Sequence, residues 1–500
     1  MRKDSRIKYN VISSVIYQVV LIGLSFILPR LYLENFGSEV NGVLSTIKQI
    51  FTYMCLLEAG VGLATTQALY KTIGTGDHKS SSAILSATHK YYVKTGVIYL
   101  AIVLAIAFVY AYIIPTAIPS HILFLIIILN AVPALFSYFV QAKYRILMEV
   151  DGRRYVINNS ETVVQLLSNL GKVAVLLLTD SLILIQLVYC IIALFQLGFL
   201  YIYAKRRYRW LDLHAEPDFK AISQKNSVLL HQISGMVFNN TDIILLSVLT
   251  DFRTVSIYTI YNIFFSQVQA FITSIISGIS FALGQMFHAD REKFDKVYDA
   301  YETLYIMATF IVYTLMAVFL LPIIRIYTDG INDANYINST LLLLFVIMNL
   351  LSNGKLPANG VLEYAGRFFE TRSHAIWEMT INIVASIVAI KIFGICGAIF
   401  GTILALVYRS VVMIHFTNKK ILDRSLWQTY RAWVVNGAVF AVVMLIFFVD
   451  SFTELSFGAL LIKGIIHSVW IVALYAGSNL LTKRGLLEGA TGLLRKEEKV

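Results

Sequence analysis

Charge is scarce in this chain. Only 14% of its 500 residues are Asp, Glu, Lys or Arg, against about 25% in a typical soluble domain, too few to cover a water-exposed globule of this size. Cysteine is scarcer still. Cys55, Cys190 and Cys396 stand alone in apolar segments, a pattern that excludes a disulfide framework and a cysteine-based metal site. No HExxH, GxSxG, phosphate-binding loop or acidic metal cluster occurs. Nothing in the motif content therefore points to an enzyme, and neither cofactor nor metal is expected. Long polar insertions are missing too, so no appended catalytic domain is expected.

What the chain has in abundance is hydrophobicity, 58% of residues with a mean hydropathy of +0.71. Apolar runs of about 20 residues match the thickness of a bilayer core. They predict an all-α polytopic membrane protein with fourteen spans: 10–33, 40–70, 90–114, 121–142, 156–178, 181–204, 226–249, 256–284, 301–322, 339–361, 375–392, 395–416, 432–450 and 457–480. The basic start (Arg2, Lys3, Arg6, Lys8) followed by an apolar run resembles a signal peptide. That run is long and no small-residue cleavage site follows it, so an uncleaved first span is the better reading.

The surplus of base over acid, 41 Lys and Arg to 30 Asp and Glu, tests this topology. Of the 41, 32 fall in the eight segments on the side of the termini. Basic residues collect on the cytoplasmic side of short loops, so both termini are expected in the cytoplasm. Positive charge spread over eight loops is explained by topology and contact with anionic lipid, which excludes a nucleic-acid partner. The longest internal connection, 205–225, reads as a cytoplasmic linker. It separates an N-terminal lobe (1–204, spans one to six) from a C-terminal lobe (226–416, spans seven to twelve), leaving two extra spans and a cytoplasmic tail in 417–500. A shift of 216 residues lays Phe36 on Phe252 and Gly62 on Gly278, a thin pseudo-repeat of the kind transporters carry.

Ionisable groups inside spans are costly and usually face a bundle interior or a water-filled cavity. Six are candidates for such a cavity. Arg30 follows Pro29 at the end of the first span and is equally explained as a snorkelling anchor. Lys48 lies inside the second span, where snorkelling is harder. Glu58 lies on the same span, about 80° around and ~15 Å along from Lys48, too far for a direct pair. It is either a bond to a neighbouring helix or a functional acid. Asp242 follows Asn239 and Asn240 in the seventh span and is either helix–helix glue or a cavity acid. Lys172 and Lys355 are the remaining cations. Lys355 sits in SNGKLP (Ser352–Pro357), where Gly354 and Pro357 are expected to break a helix and open its backbone. Arg409, nearer a span end, reads as a snorkelling residue. His231 and Gln232 are expected at a membrane interface. The tail LLEGATGLLRKEEKV is expected to form a short surface helix.

The run RLYLENFGSEVNG (Arg30–Gly42), followed by LLEAG (Leu56–Gly60) and ALYK (Ala68–Lys71), resembles the start of bacterial polysaccharide-biosynthesis exporters. These are oligosaccharide flippases of the O-antigen type, in the superfamily that also holds the MATE multidrug exporters. NNTDIILLS (Asn239–Ser247) resembles them more weakly. The resemblance implies a MATE/flippase-like fold of two six-helix lobes plus two helices, in the bacterial plasma membrane. It also implies an alternating-access carrier that moves undecaprenyl-diphosphate-linked oligosaccharide from the inner to the outer leaflet through a cationic cavity. The partners implied are the lipid-linked oligosaccharide, membrane lipids, and a glycan polymerase with other polysaccharide-assembly proteins. A MATE-like cation-coupled small-molecule antiporter on the same fold is the alternative. Its site should depend on acids, whereas here the buried cations are at least as numerous.

The topology is testable. In a cysteine-free background, a cysteine at position 251 should react with an impermeant maleimide from outside intact cells. One at 220 should react only after permeabilisation; the reverse pattern contradicts the assignment.

Overall fold

The computed structural model describes residues 3–222, 236, 240–449, 457–483 and 486. All regular structure among them is helical. Ten helices are long and apolar enough to cross a bilayer, eleven if the bent run Ile22–Gly74 counts as one span. The chain is thus a multi-pass all-α membrane protein, although the described residues do not reach the count of fourteen. The seventh expected span falls mostly outside them, as do His231, Gln232 and all of the C-terminal tail but Leu486. The chain divides into two compact units, the first made of Met1–Ser247 with Asp251–Ser256, the second of Val248–Thr250 with Ile257–Val500.

The first unit opens on α1 (Lys3–Met54), whose helical run is interrupted at Gly37, where φ is 78° and ψ 177°. That left-handed conformation favours glycine. Cys55 interrupts the helix again before α2 (Leu56–Gly74), and the axes of Ile22–Glu58 and Val61–Gly74 differ by 43°. The second expected span, 40–70, is therefore two helices at an angle. Gly42 serves close approach: a Cβ on it would lie 1.8 Å from the Phe252 carbonyl oxygen. Beside it, the Asn41 amide donates to Ser256 Oγ at 2.8 Å.

Next come α3 (His78–Tyr112), α4 (Ser120–Phe136), a π-helical turn at Ser137–Gln141, α5 (Ala142–Val150), α6 (Arg154–Leu178) and α7 (Leu182–Arg207). Leu85, Val103, Leu123 and Ile127 are buried in the core they form, while Leu177, Leu178 and Phe195 are exposed. In a bilayer those outer side chains meet lipid rather than water, so their exposure costs nothing. The connection after α7 lies along the start of α3. There Asp212 N donates to Ser82 Oγ, Ser86 Oγ to Leu213 O, and Asp218 N to Ala83 O. Trp210 stacks on His78 with centroids 4.2 Å apart. The short helix α8 (Asn240–Leu249) ends this part of the chain.

The second unit contains most of α9 (Phe252–Ala289), then α10 (Arg291–Tyr327), α11 (Ser339–Gly354), α12 (Leu356–Tyr364), α13 (Arg372–Phe393), α14 (Ile395–Phe416), α15 (Leu426–Val449) and α16 (Phe457–Thr482). Lys355 is the break between α11 and α12, where SNGKLP predicts one. Helices α13 and α14 form a close hairpin. Small residues drive such contacts because lipid offers no hydrophobic gain on helix association. A Cβ on Gly397 would lie 2.1 Å from Ala389 O, and one on Gly401 2.4 Å from Ser386 N.

Polar staples fasten α15 and α16 to α10. Asn436 and Asn479 exchange amide hydrogen bonds, and Thr314 pairs with Tyr475 at 2.7 Å. At one end of α10, Arg424 meets Glu302 and lies 3.6 Å from Asp299, which pairs with Lys483 at 2.7 Å. Thr429 also donates to Glu302. Burial pushes the Lys483 ammonium down, and Asp299 acts against that shift. Breaking one member of such a group leaves an uncompensated buried charge.

Two glycines give a contrast that checks this packing. Gly401→Leu should lower stability by about 1–3 kcal/mol through overpacking. Gly437→Ala, with nothing within 4 Å of the added Cβ, should be neutral or slightly stabilising. Unfolding midpoints in detergent separate the two.

Candidate substrate-binding site

Each intramembrane charge must find an opposite charge, a hydrogen-bonding partner or water, because hydrocarbon solvates none of them. How each candidate meets that requirement sorts the six. Arg30 pairs with Glu34 at 2.7 Å, an i,i+4 contact on a partly exposed face. Its charge is answered locally, as an anchor's would be.

Lys48 and Lys172 behave differently. Helices α1 and α6 pack on each other, bringing the two ammonium groups close enough to repel. Lys172 Nζ lies 4.9 Å from the centre of the Tyr189 ring on α7. Lys48 is exposed, and among the described residues neither lysine makes an ion pair. Two like charges with an aromatic face beside them, and no acid on either among the described residues, have the chemistry that an anion would complement.

Glu58 stands in the first turn of α2, immediately past the Cys55 break. Arg145, Tyr92, Tyr99 and Tyr138 lie within its electrostatic reach. Arg145 pairs with Glu161, and the Tyr99 and Tyr138 rings meet with centroids 5.2 Å apart. The π-helical turn carries Tyr138; such turns mark functional sites more often than regular helix does. The Tyr99 hydroxyl is buried with no hydrogen-bond partner among the described residues. Asp242 is buried on α8, next to Thr241, whose hydroxyl meets Tyr53 at 2.7 Å. The first unit thus holds Arg30, Lys48, Glu58, Lys172 and Asp242, of which Lys48 and Lys172 come together.

Lys355 belongs to the second unit. Its Nζ lies 2.5 Å from Glu378 Oε1 on α13, and Arg409 Nε on α14 lies 3.3 Å from Glu378 Oε2. Arg409 also donates to Thr371 O at 3.3 Å. Arg409 is therefore an ion-paired group as well as a span-end cation. Sequence reasoning passed over Glu378 altogether, although an acid within HAIWEMTINIV (His374–Val384) is itself a signal. Nearby, Asn353 donates to Tyr313 and Gln269, giving a second polar cluster on α9, α10 and α11. A separate cleft of about 510 Å³ lies in the connection between α10 and α11, lined by Arg325, Asp329, Asn332 and Asp333. None of the six candidates lines it.

Neither a protein-family model nor a curated protein sequence matches the chain. Solved structures do. The lipid II flippase MurJ, in an inward closed conformation, superposes with a TM-score of 0.70 at 13% identity, over 96% of this chain and 99% of that one. An inward-facing multidrug resistance MATE family transporter of the MOP superfamily gives 0.64 at 13% identity, over 83% and 99%. A MOP superfamily transporter from Pyrococcus furiosus gives 0.55 at 13% identity, over 84% and 96%. The chain has the MurJ/MATE fold. At this identity the likeness carries architecture and not the identity of a substrate.

Proposed function

We propose that this protein is a flippase. It moves undecaprenyl-diphosphate-linked oligosaccharide, a surface-polysaccharide precursor, from the inner to the outer leaflet of the bacterial plasma membrane by alternating access. The observation that carries this reading is the Lys48–Lys172 pair, two neighbouring cations without an ion-pair partner among the described residues, within a fold shared with a lipid II flippase. A diphosphate would supply the missing anion through charge-assisted hydrogen bonds.

The substrate's chemistry explains why a protein is needed. Each sugar hydroxyl costs on the order of 2–7 kcal/mol to bury without a partner, so an oligosaccharide does not cross hydrocarbon unaided. A polar path past Lys48, Tyr189 and the tyrosines around Glu58 would lower that cost while the polyprenyl chain stays in lipid. An inside-negative potential favours outward movement of an anion by about 2.3 kcal/mol per charge per 100 mV. With both termini cytoplasmic, as the distribution of basic residues implies, Lys48 and Lys172 lie in the outer half of the membrane, where they would draw the diphosphate outward. Glycan polymerase and other polysaccharide-assembly proteins are the protein partners this role implies.

A MATE-like antiporter is the second reading, favoured by the acids Glu58 and Asp242 inside the first unit. The two make opposite demands on Lys48 and Lys172. For a lipid-diphosphate substrate, Lys48→Ala or Lys172→Ala should each cost about 1.5–3 kcal/mol of binding. Transport of the lipid-linked glycan should then fall roughly ten- to hundredfold at equal expression, with Lys48→Arg retaining part of it. For a cationic drug, removing either lysine should leave transport intact or raise it.

A further inference from the structure

The second unit has a cleft apart from the intramembrane charges. It holds about 510 Å³, and its lining includes Arg325, Asp329, Asn332, Asp333, Asn335 and Tyr336, all in the connection between α10 and α11. With both termini cytoplasmic, as the distribution of basic residues implies, this connection is expected on the outer face. Its sequence, DGINDANYIN (Asp329–Asn338), is polar, and connections of that kind are usually mobile. Here the loop is tied down. Tyr261, fully buried on α9, donates its hydroxyl proton to Tyr336 O at 2.8 Å and accepts from Asn338 N at 3.1 Å. Its ring stacks on Phe345 of α11 with centroids 5.7 Å apart. At the other end of the loop, the Tyr327 ring meets Phe264 of α9 edge-on. Between them, Ile331 N donates to Thr328 O and Ile337 N to Asn335 Oδ1. Helix α9 thus anchors the loop at both ends, and a cleft fixed in advance loses less entropy on binding than one that must order.

The lining decides what fits. Carboxylates, carboxamides and a guanidinium are planar groups with paired hydrogen-bonding atoms, a match for adjacent hydroxyls on a sugar ring. A bare cation fits less well, because Arg325 would repel it and the volume falls in the ~300–1,000 Å³ range of small-molecule sites. A phosphate would meet two acids beside the one arginine. We propose that this cleft is a glycan subsite, binding a sugar unit of the transported oligosaccharide at the outer face. This rests on the lipid-linked oligosaccharide reading above and deepens it, giving the sugar a site of its own besides the lysines that take the diphosphate. Asp329 and Asp333 accept hydrogen bonds from sugar hydroxyls, while Arg325 and Asn332 donate to them. In a water-exposed cleft each such bond replaces one to water, so the net gain is small. Weak holding suits the side on which a carrier releases its cargo.

The test uses purified full-length protein in nanodiscs, with free glucose, galactose and N-acetylglucosamine as probes, read by saturation-transfer difference NMR against empty nanodiscs. At least one sugar should receive saturation from the protein. Asn332 is exposed, so Asn332→Ile keeps the fold while putting an apolar side chain in the cleft, and should weaken sugar binding at least fivefold. Tyr261→Phe removes the tether and none of the lining residues, and should weaken binding at least threefold; thermal unfolding on the same samples checks that it folds. No saturation of any of the three sugars, or unchanged binding in Asn332→Ile, overturns the inference. Saturation that appears only with added calcium assigns the cleft to a cation and overturns direct sugar binding. The flippase reading fails separately, if sugars bind as expected but the same protein in proteoliposomes leaves a diphosphate-linked glycan lipid unflipped. Flipping without sugar binding overturns the subsite alone.

Discussion

A charge inside a hydrocarbon layer has to be answered, and the ways this chain answers its charges organise the molecule. Some answers are structural. Arg424 and Lys483 meet Glu302 and Asp299 where α15 and α16 join α10, so charges that would be costly in lipid fasten a pair of helices instead. Arg30 is met by Glu34 on its own helix. Others differ. Lys48 and Lys172 lie within electrostatic reach of each other with no acid on either among the described residues, and Lys355 and Arg409 share one carboxylate. The same physics that makes the first group hold helices together would let Lys48 and Lys172 receive the anion of the proposed substrate.

Backbone interruptions lie at or near intramembrane charges. The Cys55 break precedes Glu58, and the α11–α12 break is Lys355 itself. Non-helical backbone at membrane depth is tolerated only where protein or water meets its free polar groups. Breaks at charged residues thus put side-chain and backbone polarity in the same places, as a polar path through a bundle requires. Close glycine packing does the complementary work elsewhere. Gly397 and Gly401 let α13 and α14 approach until no side chain fits between them, and Gly42 does the same at the start of α9.

Much of this architecture was legible in the sequence, because hydrophobic length is a local signal. The break at Lys355 was readable from Gly354 and Pro357, and the Arg30–Glu34 pair is visible as an i,i+4 spacing. The meetings across helices were not. Nothing in the sequence places Lys172 beside Lys48, more than a hundred residues earlier, or shows that Glu378 collects Lys355 and Arg409. Arg409 read as an interfacial cation because position along a span reveals depth and hides the neighbour. The interruption at Cys55 was also hidden, since the apolar run continues across it and a helix interruption without proline leaves little trace. The role of Gly42, admitting a backbone carbonyl that only tertiary packing brings there, was hidden as well.

The central claim is that the protein moves a diphosphate-linked, glycan-bearing lipid across the bilayer. The direct measurement is the leaflet distribution of such a lipid in proteoliposomes, followed with an impermeant glycosidase added outside. With the protein present and a potential imposed in the favourable direction, lipid loaded in the inner leaflet should become cleavable within minutes. Protein-free vesicles should protect it for hours. Equal protection in both, in vesicles where the same protein sample exports a cationic dye, would contradict the account and favour the antiporter.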